Sequence, residues 1–378
     1  MPWKETTTMS LRTEFIHLAG LEGANISELC CRFGISRKTG YKWLKRYREG
    51  GESGLADRSR RPRYSPGRIS VETEAVVVEV RQKHPAWGGR KIKAYLERKG
   101  HSHLPSPSTI TEVLRRNDQI DAEEAGKHRP MQRFEMEQPN QLWQMDFKGG
   151  FSLEAGGYCH PLTVLDDHSR FLVGLKACPN QTRQTVKAQL SDIFRCYGLP
   201  QRMLMDNGSP WGDDRESPHT ILTAWLIRLG IQISHGRPYH PQTQGKDERL
   251  HRTLQDELLS RYPLANLSQC QLHFDHWRDF YNFERPHEAL EMQSPANRYQ
   301  ASPRTFPEVL PPILYDPHDI IRKVDLGGKI SFRNHSFRVG KAFRYNPVAL
   351  RPTQSDGEYD VFFCQHRIAQ ISLREDNC

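Results

Sequence analysis

The pattern of apolar and polar positions changes character along this chain and divides it into segments. Helical periodicity marks residues 1–57 and 70–120, apolar runs alternate with helical stretches in 138–305, and short apolar runs alone occupy 306–378. The connecting residues 58–69 and 121–137 lack an apolar period. We therefore predict a multidomain protein: two α-helical domains joined by a linker, then a tether, an α/β domain and a small C-terminal β-barrel.

The first helical segment has the pattern of a helix-turn-helix. Apolar residues between Ile26 and Phe33 recur at spacings of three and four, Gly34 predicts a turn, and Ser36 is placed to cap the next helix. Its predicted inner face holds Tyr41, Leu44 and Tyr47. The second helix of such a motif enters the major groove of DNA. Its candidate DNA contacts are Arg37, Lys38, Lys42 and Lys45. Any small helical domain can show this periodicity, so that alternative stays open.

The predicted linker at 58–69 is basic and contains two prolines and a glycine. Its Arg60, Arg61 and Arg63 are candidate contacts to a narrow minor groove. A soluble basic linker would have the same composition.

The second helical segment predicts another DNA-reading unit. Helices are expected over Val71–Lys83 and Arg90–Lys99, and Ser106-Pro107 opens a third because Ser caps well and Pro suits the first helical position. Thr109 and Arg115 on that third helix are candidate DNA contacts. Two such units in series would read a longer site than one alone.

The segment 138–305 predicts a mixed sheet flanked by helices. Strands are expected at Leu142–Phe147, Tyr158–Leu165, Phe171–Ala177, Arg202–Met205 and Ile231–Ser234. Helices are expected over Thr182–Tyr197, from Ser217-Pro218 to Leu229, and over Gly245–Arg261. Beyond residue 312 five strands predict the barrel: Lys329–Arg333, Phe337–Val339, Val348–Arg351, Glu358–Cys364 and Arg367–Leu373.

Charge and cysteine content narrow the class of protein. Residues 32–68 hold twelve Lys or Arg and three acidic residues, an excess equal to the net charge of +9 of the whole chain. Such a local basic block points to a polyanion, although solvated surface Lys and Arg are common. The eight cysteines show no metal-site spacing and fit free thiols in a reducing compartment. No apolar run approaches the roughly 18 residues of a membrane span. We therefore expect a soluble, intracellular protein without membrane contact.

Three carboxylates are the strongest candidates for chemistry. Asp146 lies near the end of a strand that is otherwise apolar, where an unpaired charge asks for a compensating ligand. Asp206 directly follows another strand, although Asp206-Asn207-Gly208 alone is an ordinary turn sequence. Glu248 projects away from the seam of Leu250, Leu254 and Leu258, and Asp247 falls beside that seam. An exposed helical Glu is the common alternative.

Several motifs occur together in one order. They are Trp143-x-x-Asp146-Phe147, residues 165–170 (LDDHSR), Asp206-Asn207-Gly208, residues 237–246 (RPYHPQTQGK) before Glu248, and residues 281–287 (YNFERPH). In this combination the chain resembles the bacterial insertion-sequence transposases with a DDE integrase core. Those proteins are relatives of retroviral integrases with an RNase H-like fold. The resemblance covers nearly the whole chain, including the helix-turn-helix region.

The resemblance implies a catalytic and metal-binding triad of Asp146, Asp206 and Glu248 that holds two Mg²⁺ ions, with Mn²⁺ able to substitute. It implies a metal-dependent polynucleotidyl transferase and endonuclease that binds inverted-repeat ends, cleaves them and joins them to target DNA. The expected partners are double-stranded DNA and further copies of the chain, as a homodimer or higher oligomer. The expected location is the bacterial cytoplasm at the nucleoid. Further DNA contacts are expected at Arg237, His240, Lys246 and Arg252; for Arg237 and His240 a loop held by hydrogen bonds is the alternative.

Two departures from the family pattern stand out. Between Asp206 and Glu248 lie 41 residues, more than in many relatives, and the excess is assigned to the loop 210–216. Gln255 stands where relatives often carry a basic residue, so Arg252 or Lys246 is expected to supply that basic contact instead.

The Arg285-Pro286-His287 segment predicts structural support or a DNA contact.

Three alternatives to the transposase remain: a DNA-binding regulator, a nuclease that cuts without joining, and an inactive copy.

Overall fold

The computed structural model describes residues 7–58, 69–120, 135–212, 219–236 and 245–374. The chain forms two compact units, Met1–Arg68 and Ile69–Cys378. The boundary lies at the end of the segment predicted as a basic linker. Most of that linker, most of the predicted tether and most of the loop 210–216 lie outside the described residues.

The first unit contains three helices, α1 (Thr8–Ala19), α2 (Ile26–Arg32) and α3 (Arg37–Gly50). Ser36 caps α3 as predicted, because its side chain accepts a hydrogen bond from the Thr39 N–H. The predicted inner face of α3 is wrong at two positions: Tyr41 and Tyr47 are exposed, and Gly40 and Trp43 face the core. The reason is close helix packing, because a Cβ at Gly40 would lie 2.5 Å from Cys30 Sγ. The core of this unit consists of Phe15, Ile16, Cys30, Trp43 and Leu55.

Residues 69–120, here called the second helical unit, contain α4 (Val71–Lys83), α5 (Gly89–Arg98) and α6 (Pro107–Arg116). The predicted start of α6 is confirmed, since Ser106 caps it and Pro107 is its first residue. Helix α5 packs closely on α6, because a Cβ at Gly89 would lie 2.3 Å from the Pro107 carbonyl oxygen. The three helices enclose Val77, Trp87, Ile92, Leu96, Ile110, Val113 and Leu114.

The segment 138–305 contains the predicted mixed sheet. Its strands are β1 (Leu142–Phe147), β2 (Phe151–Ser152), β3 (Tyr158–Asp166), β4 (Leu172–Cys178), β5 (Arg202–Met205) and β6 (Gln232–His235). Strand β3 pairs antiparallel with β1, β2 and β4. Strand β5 lies between β1 and β6 and is parallel to both. The two parallel pairs therefore bring the carboxyl ends of β1, β5 and β6 to the same edge.

Helices cover both faces of this sheet. They are α7 (Arg183–Tyr197), α8 (Ile221–Arg228), α9 (Gly245–Leu254) and α10 (Leu267–Asp279). Val164 packs in the cluster of α7 and α8, and its neighbour Leu165 packs in the cluster of α9 and α10, as strand alternation requires. Helix α9 continues into a π-helical turn, Gln255–Leu259, so the helix expected to reach Arg261 ends near Ser260. Helix α8 begins at Ile221 through a capping box of Thr220 and Thr223. The predicted start at Ser217-Pro218 lies outside the described residues.

The C-terminal region contains β7 (Ile320–Lys323), β8 (Lys329–Phe332), β9 (His335–Arg338), β10 (Pro347–Pro352), β11 (Glu358–Phe363) and β12 (His366–Ser372). The predicted closed barrel is not confirmed. In the described residues an open sheet runs in the order β12-β11-β10-β7, and β8 and β9 form a separate hairpin. The apolar face of the sheet is buried without closure, because Leu350, Phe343 and Phe363 join the cluster that holds Trp225 of α8.

Candidate active site

Asp146 lies at the carboxyl end of β1, after four fully buried residues. Its Oδ1 accepts a 2.8 Å hydrogen bond from the Phe147 N–H, and its backbone carbonyl accepts one of 3.1 Å from Thr163 Oγ1 on β3. The strand is long enough to bury its apolar residues and then release the carboxylate at the sheet edge. Asp146 remains one-quarter exposed at its side chain.

Asp206 follows β5 directly, and β5 is the parallel neighbour of β1. The two carboxylates therefore emerge from adjacent strands at one edge of the sheet. The Gly208 N–H donates to Asp206 Oδ1 at 3.1 Å, and His235 Nδ1 lies 2.9 Å from the Asp206 carbonyl oxygen. The Asn207 side chain donates to the Gly236 carbonyl at 2.8 Å. These bonds tie the loop after β5 to the end of β6.

Glu248 lies on the exposed side of α9, opposite the buried Leu250 and Leu254. His251, one turn further, fixes this helix against the sheet. Its Nε2 lies 2.9 Å from Thr163 Oγ1, and its Nδ1 lies 4.0 Å from Asp146 Oδ2. Helix α9 therefore runs beside the end of β1 that carries Asp146.

The electrostatics show that Asp206 and Glu248 both act on Asp146. Burial, followed by repulsion from Asp206 and then Glu248, raises the pKa of Asp146 to about 6, although the Phe147 N–H opposes this. Burial also raises the pKa of Asp206, against the Gly208 N–H. Burial, with help from Lys148, lowers the pKa of His251 to about 4, so this ring is neutral near pH 7. The His251 ring therefore adds no positive charge beside Asp146 near pH 7.

Within the described residues no three His, Cys, Asp or Glu side chains stand close enough to form a metal site. Asp146 is therefore within electrostatic reach of Asp206 and of Glu248, but the three side chains do not form one coordination sphere. Asp247 is a fourth carboxylate, 1% exposed, and in the part of the chain that the structure describes neither of its oxygens has a hydrogen-bond partner. Burial, then repulsion from Asp146, raises the pKa of Asp247 well above its usual value.

The segment 165–170 supports the site rather than facing it. Asp166 Oδ1 accepts bonds from the Ser169 N–H and hydroxyl at 2.8 and 2.6 Å, and its Oδ2 accepts one from the Asn140 N–H at 2.7 Å. The fully buried Asp167 forms an ion pair with Lys246. Lys246 is therefore engaged with the protein at a point where a DNA contact was predicted.

The predicted DNA contacts occupy different settings. Arg37, Lys38, Lys42 and Lys45 are exposed on α3, and Lys42 Nζ lies 4.5 Å from the centroid of the Trp43 ring. Thr109 takes part in the cap of α6, and Arg115 pairs with Glu112 on the same helix. Arg252 is exposed on α9, one turn beyond Glu248. Arg60, Arg61, Arg63, Arg237 and His240 lie outside the described residues.

Sequence reasoning missed Lys148. It lies two residues beyond Asp146, and its Nζ donates a 2.7 Å hydrogen bond to Gln255 Oε1. It forms no ion pair with any acid in the part of the chain that the structure describes. The signal in the sequence that could have identified Lys148 was a cation two residues after an Asp at the end of a strand. For Arg285 the structure shows support, since its guanidinium is buried against Glu257.

Comparison with known families follows the same domain order. Residues 7–56 and 39–114 match homeodomain-like domains, and residues 136–241 and 229–295 match integrase core domains. Residues 319–378 match the C-terminal domain of the IS481 family of transposases. The chain therefore contains segments similar to homeodomain-like domains, to an integrase core and to the C-terminal domain of IS481-family transposases. The resemblance predicted from the sequence is thereby confirmed, as are the N-terminal helix-turn-helix region and the RNase H-like integrase core.

Individual relatives include insertion-element and retroviral proteins. The chain is 25% identical to the insertion element IS407 uncharacterized 31.7 kDa protein of Burkholderia multivorans, over 42% of this chain and 54% of that protein. It is 29% identical to the insertion element IS476 uncharacterized 39.2 kDa protein of Xanthomonas euvesicatoria, over 44% and 46%. It is 29% identical to the Gag-Pol polyprotein of feline leukemia virus, over 45% and 10%. The chain thus spans about half the length of the insertion-element relatives.

Solved structures give weaker likenesses. The simian T-cell lymphotropic virus intasome in complex with PP2A regulatory subunit B56 gamma aligns with a TM-score of 0.38 at 15% identity, over 79% of this chain and 100% of that chain. The HTLV-2 integrase catalytic core domain in complex with magnesium, in its trimeric form, aligns with a TM-score of 0.34 at 13% identity, over 43% and 99%. Among the described helices, none is long and apolar enough to cross a membrane.

Proposed function

We propose that this protein is a DNA transposase that binds the terminal inverted repeats of an insertion sequence, cleaves the ends by metal-dependent hydrolysis and joins them to target DNA. The observation that carries the proposal is the placement of Asp146 and Asp206 at the carboxyl ends of adjacent parallel strands, with Glu248 on the helix that packs beside Asp146. The integrase core and homeodomain-like matches support it.

The donor set fits a hard divalent cation. Asp146 and Asp206 are partly buried carboxylates whose pKa values are raised, so bringing them together with Glu248 requires positive charge. We assign Asp146, Asp206 and Glu248 as the ligands of two Mg²⁺ ions, with Mn²⁺ as an alternative. Such ions activate the attacking oxygen and stabilise the leaving oxygen of a phosphodiester.

Two further residues support this site: His251 keeps Glu248 in position, and Lys148 supplies a positive charge. His251 stays neutral and holds α9 against β3 through Thr163, so Glu248 keeps its place beside Asp146. Lys148, held by Gln255, offers an ammonium group to a DNA phosphate next to the acidic site. We therefore assign to Lys148 the basic contact that the sequence had suggested for Lys246 or Arg252.

DNA ends are bound upstream of the core. The exposed cations of α3 suit a major groove, and α6 with Arg115 suits a second contact. Cutting and joining two ends together requires a dimer or a larger assembly, in the bacterial cytoplasm at the nucleoid. The domain limits that we propose are 1–57, 70–120, 138–305 and 306–378, with connections at 58–69 and 121–137.

The test is an assay with Mg²⁺, labelled duplexes from the ends of the native element and a plasmid target. We expect end binding, cleavage and joined products from the wild type. Asp146→Asn, Asp206→Asn and Glu248→Gln should bind ends without cleaving or joining them, and the exposed off-site control Glu137→Gln should retain all three activities. Binding without chemistry by the wild type would favour a regulator or an inactive copy, and cleavage without joining would favour a nuclease.

A further inference from the structure

A buried polar cluster connects the second helical unit to the helix that carries Glu248. We call it the Trp87–Glu257–Arg285 cluster. The Trp87 indole Nε1 donates to Glu257 Oε1 at 3.0 Å. Arg285 donates to both Glu257 oxygens through Nε, at 3.0 and 3.1 Å, and again to Oε1 through Nη2 at 2.9 Å. The side chains of Arg285 and Glu257 are only 6% and 3% exposed, and Trp87 is fully buried.

Aromatic stacking and peripheral bonds surround this cluster. His84, at the end of α4, stacks on Trp87 with ring centroids 4.1 Å apart and on Phe280 with centroids 4.8 Å apart. At the rim, Arg98 donates to the Glu284 carbonyl at 2.7 Å, and Lys99 pairs with the Glu284 carboxylate at 2.8 Å. Arg81 holds the Trp87 backbone through a 2.8 Å bond to its carbonyl. The second helical unit is therefore fastened to the π-helical turn and to the residues after α10.

Glu257 and Glu248 lie on one continuous stretch of helix. Helix α9 passes into the π-helical turn that contains Glu257 without leaving helical backbone geometry, since Leu254 keeps φ −61° and ψ −41°. Glu257 is buried and Glu248 is exposed, so the two side chains lie on different sides of this continuous helix. A contact to Glu257 therefore holds α9 from behind and leaves the acidic face free.

The cluster requires a stricter arrangement of its side chains than an apolar packing contact would. A buried carboxylate with one cation and one indole donor is satisfied only when all three groups keep their places. Apolar residues would fill the same volume without fixing one arrangement. The polar choice specifies how α9 and the second helical unit are placed relative to each other.

We infer that Trp87, Glu257 and Arg285 are positioning residues, through which the second helical unit sets the place of the helix that carries Glu248. This inference rests on the proposed function, because it couples a DNA-binding unit to the acidic site. It goes beyond that function, because it makes the second helical unit part of the catalytic assembly rather than a tethered DNA anchor.

The experiment compares full-length wild type with Trp87→Phe, which keeps an aromatic ring, loses the indole N–H donor and makes the side chain smaller. The matched control is Trp277→Phe, which makes the same change in side-chain size at a buried tryptophan whose Nε1 has no hydrogen-bond partner among the described residues. Amide hydrogen exchange of residues 248–259 is measured without metal. End binding, joined product and the Mg²⁺ concentration for half-maximal joining are then measured for the same proteins.

For Trp87→Phe we expect exchange in residues 248–259 to accelerate by about tenfold or more. End affinity should stay within about twofold of wild type, while joining falls and the Mg²⁺ requirement rises. Trp277→Phe should match wild type in all four measurements.

Unchanged exchange and an unchanged Mg²⁺ requirement in Trp87→Phe would overturn the inference, as would a parallel loss of end binding and joining. If the wild type binds ends but neither cleaves nor joins them, the proposed function fails. The exchange measurement still decides whether Trp87 holds α9.

Discussion

Lys148 Nζ donates a 2.7 Å hydrogen bond to Gln255 Oε1, which joins the residue two positions beyond Asp146 to the π-helical turn beyond Glu248. Gln255 is itself held by a 2.9 Å bond from its Nε2 to Ser260 Oγ. The ammonium group is thus oriented by a neutral amide rather than neutralised by a carboxylate. This is the arrangement expected for a cation that binds a phosphate.

Lys148→Ala should weaken joining by about tenfold and reduce the salt dependence of end binding by about one unit of slope, because one phosphate contact is lost. Lys148→Arg should retain most of the joining activity. The measurements are end-binding titrations over a range of salt concentrations and single-turnover joining. An unchanged salt slope with Lys148→Ala would show that Lys148 does not contact the DNA backbone.

His84 predicts a pH dependence of stability. Burial, with nearby Arg261, Arg285 and Lys83, lowers the pKa of His84 to about 4, and Glu257 opposes this. The unfolded chain binds a proton at this residue below about pH 6.5 and the folded chain does not, so stability is lost as the pH falls from 6.5 towards 4. His84→Phe keeps a ring in the stack and should lose less stability over that window. Urea unfolding at several pH values measures the difference, and parallel curves for the two proteins would contradict it.

Gly40 lies where α3 packs so closely on α2 in the first unit that there is no room for a side chain. Gly40→Ala would place a Cβ 2.5 Å from Cys30 Sγ and 3.0 Å from Phe15 Cζ, so the packing of α3 must shift. We expect a loss of about 1–3 kcal/mol in the free energy of unfolding of this unit. The matched control is Gly50→Ala at the end of the same helix, where the nearest heavy atom lies 3.7 Å away. Adding Cys30→Ala to Gly40→Ala should recover part of the loss, and no recovery would place the strain elsewhere.

Local signals in the sequence account for much of the fold. Strand β1 was predicted with its observed bounds, because a short apolar run that leads to Asp146 is typical of a buried strand. Helix α6 was predicted from Ser106-Pro107, since the cap is a local property. The inner face of α3 was misassigned because Gly40, which adds no hydrophobicity, marks the closest helix approach.

Long-range contacts account for what the sequence did not show. Whether the C-terminal strands close into a barrel depends on what covers their apolar face, and here that is α8. The Trp87–Glu257 bond joins residues 170 positions apart, and no spacing rule reaches that far. The sequence offered Asp146 and Glu248 as separate candidates, and it was the resemblance to a known family that placed them in one site; the structure puts Glu248 on the helix that runs beside Asp146. The ion pair of Lys246 with Asp167 could be seen only in the fold.

The most direct test of the central claim is a change of metal preference at Asp146. Asp146→Cys replaces a hard oxygen ligand with a softer thiolate, so joining of labelled ends to a plasmid should disappear with Mg²⁺ and return in part with Mn²⁺. The wild type should join ends with either ion. Full joining by Asp146→Cys with Mg²⁺ would show that Asp146 is not a metal ligand and would contradict the proposed mechanism.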